Sequence, residues 1–211
     1  MQDILKTNSF ACQLADGEAG DGYMCLFPRV ARINHACRPN AYAKFEPATL
    51  RMRVVALREI EQGEEVSISY GRVELPYVER RRLYQEGWGF ECGCEMCAKD
   101  GKARGESDRK RERFRALKKI LEEVTAETFD AGRVLEWEEE VLKLSEEEGL
   151  EVLVAEDMER LAYVYAGMGD VRRAKEWARK ARENLLLWTV AEGRPDFELK
   201  RVEELLRELG A

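Results

Sequence analysis

The chain has 211 residues, 45% of them hydrophobic, enough to bury a core in one large domain or two small ones. With 35 Lys plus Arg against 42 Asp plus Glu, the net charge of -7 disfavours broad contact with phosphate backbones, so no direct nucleic-acid partner is expected. No apolar run approaches the roughly 20 residues of a membrane span, and the opening MQDILKTNSF lacks the apolar core of a signal peptide. The default expectation is a soluble intracellular protein, in the nucleus or the cytoplasm, with no membrane partner.

From Met1 to about Cys97 the chain is rich in glycine, proline and short β-prone runs. Cys12 and Cys25 stand apart from other cysteines and read as buried hydrophobic side chains. Gly17, Gly20 and Gly22 form a glycine-containing loop. The segment RINHACRPN, residues 32–40, then combines Pro39 with polar residues in the manner of an irregular, tightly specified turn. Arg51 to Leu57 (RMRVVAL) and Glu65 to Tyr70 (EVSISY) carry alternating or β-branched residues and read as strands, separated by a turn at Gln62-Gly63. Glu64 and Glu65, entering the second strand, read as a solvated charge pair.

Cys92, Cys94 and Cys97 place three thiols within six positions, so one short loop can aim three soft ligands at a single ion. A structural zinc takes four N or S ligands at about 2.0 to 2.3 Å, and Cys37 is the candidate for the fourth. Reduced cysteines without metal are the competing reading. His35, the one histidine, excludes a histidine-rich catalytic metal centre and disfavours a serine-histidine triad.

Lys99 to Lys110 (KDGKARGESDRK) has glycine and charge but no apolar anchor, which suits a solvated linker. Beyond it the period becomes helical. Phe114, Leu117, Leu121 and Val124 form one apolar stripe, and Val134, Trp137, Val141 and Leu144 another. Gly167-Met168-Gly169 breaks a third segment bearing Leu161, Val164 and Tyr165, and Asp170 is set to N-cap the returning helix. That helix carries Ala174, Trp177, Ala178, Ala181, Leu185 and Trp188 on one face. Pro195 suits the first turn of a final helix with Val202, Leu206 and Leu209. The run LAYVYAGMGDVRRAKEWARKA resembles a tetratricopeptide helix pair, and an ordinary helical bundle satisfies the same pattern.

RINHACRPN, followed by GEEVSISY and FECGCEMC, resembles the SET domain of the SET and MYND (Smyd-like) lysine methyltransferases, with the three motifs in family order. The implied fold class is α+β: a β-rich partial SET domain with a post-SET zinc motif over 1–98, a linker over 99–110, and an all-α tetratricopeptide-like domain over 111–211. The family's earlier glycine-containing segment and MYND finger have no counterpart, so the resemblance implies the C-terminal portion of such an enzyme. Ala36 stands where the family usually has serine.

What the resemblance implies for the site is specific. Asn34 and His35 would contact S-adenosylmethionine, Asn8 in Lys6 to Phe10 would hold its methionine end, and Phe90 would pack on it. Tyr70 matches the tyrosine of the methyl-transfer centre, where it would position and stabilise without forming a bond to substrate. Cys37, Cys92, Cys94 and Cys97 match the family's zinc ligands. The implied activity is S-adenosylmethionine-dependent protein-lysine N-methylation of a lysine-containing protein or peptide, with a helical domain that binds proteins. The alternative is a non-catalytic, zinc-stabilised SET remnant joined to a helical protein-interaction domain.

Overall fold

The computed structural model describes residues 2–13, 22–189 and 197–210. The chain divides into two compact units, with the boundary between Asp108 and Arg109. Gly17, Gly20 and Pro195 lie outside the described residues.

The first unit opens with helix α1 (Gln2–Asn8) and the antiparallel strands β1 (Ser9–Gln13) and β2 (Gly22–Leu26). Asn8 is thus the last residue of a helix, not part of a loop. A second antiparallel pair, β4 (Ala41–Glu46) and β5 (Arg51–Ala56), runs in register from Ala41 opposite Ala56 to Glu46 opposite Arg51. A third, short ladder pairs β3 (Asn34–His35) in parallel with β6 (Ser67–Ile68). The strand expected over 65–70 is therefore two residues long, and Tyr70 lies beyond its end. It does not form a hairpin with β5. The Gln62-Gly63 turn is present, with Gly63 at φ 88°, a conformation that glycine adopts without steric penalty.

Asn40 explains why β6 lies where it does. Its side chain, 2% exposed, donates to the Glu64 carboxylate and the Glu65 carbonyl, both at 2.9 Å, and accepts from the Ser67 amide at 2.8 Å. One buried amide thereby satisfies three groups of the incoming segment and fixes its register. The glutamates are not a merely solvated pair. Glu64 also accepts from Arg58 at 3.1 Å, and hydrogen bonds from Arg58 and then Asn40 hold its carboxyl down to about 2.

Helix α2 (Tyr77–Trp88) follows, then the single turn α3 (Glu95–Ala98). Residues 101–110, read as an irregular linker, are the start of helix α4 (Gly101–Glu122). The side chain of Asp100 accepts from the Ala103 amide at 2.9 Å, and the Lys, Ala, Arg and Glu that follow are good helix formers, so the segment needs no apolar stripe to be helical. Val124 falls beyond the end of α4.

Among the described residues the second unit is helical throughout, continuing α4 with α5 (Ala131–Glu148), α6 (Ala155–Gly167), α7 (Val171–Asn184) and α8 (Phe197–Glu208). Phe114, Leu117 and Leu121 are buried on α4, and Val134, Val141 and Leu144 on α5. The α6–α7 hairpin turns at Gly169 (φ 78°), and Asp170 caps α7 by accepting from the Arg173 amide at 3.0 Å. Ala162, Ala178, Ala181, Leu185, Val202 and Leu205 form its core, the alanines allowing close helix approach. Arg111 and Glu148, both buried, pair at 3.1 Å and join α4 to the end of α5. None of the described helices is long and apolar enough to cross a membrane.

Candidate metal centre and adjoining cavity

The site is built where α2 ends. Gly89 takes a left-handed C-cap at φ 74° and its amide bonds back to the Gln85 carbonyl at 3.1 Å, which turns the chain sharply. Phe90 consequently returns over α2 and stacks on Tyr84, and the chain runs on into Cys92 to Cys97. Cys94 sits at the N-cap position of α3, and Cys97 lies buried within that turn.

Cys37 approaches from β3 and is fully buried. The Sγ atoms of Cys37, Cys92, Cys94 and Cys97 all lie within 4.8 Å of one another, with Cys37 Sγ 3.9 Å from Cys92 Sγ and 3.5 Å from Cys97 Sγ. A tetrahedral ion with Zn–S bonds of about 2.3 Å separates its sulfurs by roughly 3.8 Å, so the four thiols fit such an ion. They also need one. Neighbouring thiols raise the Cys37 thiol, Cys92 first, while hydrogen bonding led by Cys37 lowers Cys92 to about 7. So close a group cannot shed all its protons without a cation among them. Arg80, 2% exposed, lies beside Cys37 and adds a buried positive charge. Cys12 and Cys25 stay outside the cluster; Cys12 is buried as expected, and burial pushes it up to about 12, whereas Cys25, on the exposed strand β2, is only partly buried.

Beside the cluster lies a cavity of about 530 Å³. Asn8, Asn34, His35, Tyr70 and Phe90, far apart in sequence, all line it, as do Cys92 and Cys94. The β3–β6 ladder brings Asn34 and His35 to Tyr70, and the Ala36 amide extends it by bonding to the Ile68 carbonyl at 3.1 Å. Asn34 donates to Glu65 at 2.6 Å, and Asn8 donates to Thr7 at 2.9 Å. Tyr70 donates its hydroxyl to the Ile33 carbonyl at 2.6 Å. Burial, and then the Glu65 carboxylate, raise its phenol, so Tyr70 presents a neutral hydroxyl at physiological pH.

Glu65 and Trp88 are among the wall residues that sequence reasoning did not place in the site. Glu65 bonds Asn34 at the cavity edge, and Trp88 lies 5.7 Å from the Tyr70 ring. Trp88 also lines a second, smaller cavity of about 90 Å³, which shares Thr7, Asn8 and Tyr70 with the first. A lone aromatic at a helix end carries no spacing signal that would have found it.

Residues 7–71 match the family model for the SET domain. The first unit carries a SET domain. The match takes in Asn8, Asn34, His35, Cys37 and Tyr70, and stops short of Phe90 and the three clustered cysteines. The chain is 43% identical to a histone-lysine N-methyltransferase of Arabidopsis thaliana over 77 residues, which is 36% of this chain and 16% of that one. It is 34% identical to a SET and MYND domain-containing protein of Dictyostelium discoideum over 93 residues, 44% of this chain and 26% of the other. A histone-lysine N-methyltransferase of Schizosaccharomyces pombe is 27% identical over 169 residues, 77% of this chain and 51% of that one, a length that runs past the SET domain into the helical unit. The chain therefore spans from 16% to 51% of the length of these relatives.

Proposed function

We propose that the chain is the methyl-transfer part of an S-adenosylmethionine-dependent protein-lysine N-methyltransferase with a structural zinc. The observation that carries this reading is the meeting of two cavities at Tyr70. The larger, about 530 Å³, has the size and mixed polar and aromatic lining of a small-molecule pocket. The smaller, about 90 Å³, sets Phe10, Val30, Ala31, Tyr70 and Trp88 beside Thr7, Asn8, Ser9 and Ser69, and its apolar side suits the stem of a lysine side chain. The relatives named histone-lysine N-methyltransferases support the same assignment.

Cys37, Cys92, Cys94 and Cys97 would hold zinc with all four positions filled, leaving none open for water or substrate. The metal's role is to fix the Phe90 loop against β3. Asn34, Phe90 and Asn8 would seat the cofactor, which supplies a methyl group on a sulfonium sulfur. Bound there, S-adenosylmethionine would supply this methyl group to a neutral lysine amine, an N–C bond replacing the C–S bond and S-adenosylhomocysteine leaving. Tyr70 orients the amine, and its hydroxyl oxygen faces the developing positive charge. A lysine amine has an ordinary pKa near 10.4, and desolvation against Phe10, Val30, Ala31 and Trp88 of the smaller cavity favours its neutral form. The net charge of -7 favours a basic peptide as the substrate, and the relatives named histone-lysine N-methyltransferases suit a nuclear or cytoplasmic setting. The α6–α7 hairpin supports a tetratricopeptide-like pair in a helical unit that binds proteins.

Calorimetric titration of the zinc-loaded chain with S-adenosylmethionine, followed by methyl transfer to lysine peptides, tests the reading. Saturable heat and label on lysine support it. Full zinc content with no heat at high cofactor concentration favours the alternative, a zinc-stabilised SET remnant with a helical protein-interaction unit.

A further inference from the structure

His35 has both ring nitrogens engaged, and the two partners belong to different parts of the site. The Tyr70 amide donates to Nδ1 at 3.1 Å, while Nε2 lies 3.4 Å from Cys37 Sγ. A nitrogen that accepts an N–H bond cannot carry its own proton, so in the neutral ring the proton is on Nε2. That proton points at the Cys37 sulfur, and 3.4 Å is an ordinary distance for an N–H donor to sulfur.

The ring is held in place from other directions as well. It packs 4.1 Å from the Tyr84 ring, 5.4 Å from Tyr70 and 6.0 Å from Phe90, centroid to centroid. This aromatic wall lowers the local dielectric and strengthens the two hydrogen bonds. Four thiolates around a divalent ion carry a surplus of negative charge, and an N–H donor to one of them draws part of it off.

We infer that His35 is a positioning residue joining the metal centre to Tyr70: its Nε2–H donates to the Cys37 thiolate while its Nδ1 anchors the Tyr70 backbone. The inference rests on the proposed metal site. The ring edge is spent on these two bonds, so His35 meets a cofactor through its backbone or ring face. The Tyr70 amide fixes the tautomer of His35, and that tautomer turns the Nε2 proton toward Cys37. A metal held by Cys37 would then be joined to the Tyr70 backbone through this imidazole as well as through the Phe90 loop.

Two measurements on the full chain test this. Long-range proton–nitrogen correlation of the zinc-loaded protein should show a neutral ring with hydrogen on Nε2. A proton on Nδ1 would overturn the inference, and this result needs no variant to fold. In the cobalt(II)-loaded protein, His35→Phe keeps an aromatic ring but removes both nitrogens. The thiolate-to-cobalt charge-transfer band should move to longer wavelength, a chelator should strip the metal roughly tenfold more readily, and the Tyr70 amide proton should shift upfield. An unchanged band with an unchanged Tyr70 amide overturns it. Absence of any thiolate-to-cobalt band in the parent chain means that the metal reading has failed and takes this inference with it, an outcome distinct from a band indifferent to His35.

Discussion

Tyr84 and Phe90 stack with ring centroids 5.7 Å apart and planes inclined by 14°. Tyr84 is fully buried on α2, so it serves as a fixed platform, and the Gly89 turn lays Phe90 on it, where Phe90 lines the cavity. Phe90→Ala should weaken S-adenosylmethionine binding by about tenfold, the loss of one aromatic contact and its burial, while leaving zinc content intact. Calorimetry beside metal analysis decides it. Equal affinity in variant and parent would remove Phe90 from the pocket.

Much of this site was legible because its signals are local. Three cysteines within six positions announce a metal loop without any knowledge of the fold, and Asp170 after Gly169 announces a helix start. Other parts depend on partners distant in sequence. Asn40 looks like any turn asparagine until residues 64–67 arrive to bond it. Helix α2 has a weak sequence signal: of its twelve residues only Arg80 and Tyr84 are buried, with Tyr77, Leu83 and Trp88 partly buried against the cysteine core. The helical start of α4 was hidden for a similar reason: charged helix formers and a cap at Asp100 suffice there, with no core contact to set a period.

The thiols separate into a cluster and two outsiders, which makes a direct contrast. Cys97→Ala should abolish stoichiometric zinc and lower the unfolding midpoint of the first unit, because a structural zinc contributes folding free energy. Cys12→Ala, at a buried site outside the cluster, should keep full zinc. Elemental analysis and thermal melts on both variants test the contrast. The bound ligands must be deprotonated, so acidification should release the metal from the parent as protons compete for sulfur. Zinc retained in Cys97→Ala would contradict the four-thiolate site.

Tyr70→Phe separates positioning from folding. The lost hydroxyl bond to the Ile33 carbonyl should change stability by only about 1 kcal/mol. Removing a preorganised oxygen from the reacting centre should lower turnover by about a hundredfold or more. Methylation rates at saturating cofactor, measured with denaturation curves, check both halves. An unchanged rate with matched cofactor binding would take Tyr70 out of the mechanism.

The helical unit carries its own titration. Glu138 on α5 is fully buried and pairs with Arg160 of α6, while Asp157 of α6 faces it and bonds Lys118 of α4 at 2.5 Å. Burial first, and then the Asp157 carboxylate, push Glu138 up from 4.5 to about 8. In the window from about 4.5 to about 8 the folded chain therefore holds a proton that the unfolded chain releases. Folded stability from this group falls as pH rises through that window and is greatest below it. Glu138→Gln keeps an acceptor for Arg160 and removes the titration. The variant should gain stability relative to the parent as pH rises from 5 to 8, with the difference between their denaturant midpoints growing across that range. Parallel midpoint curves over the same pH range would show that Glu138 is already ionised in the fold.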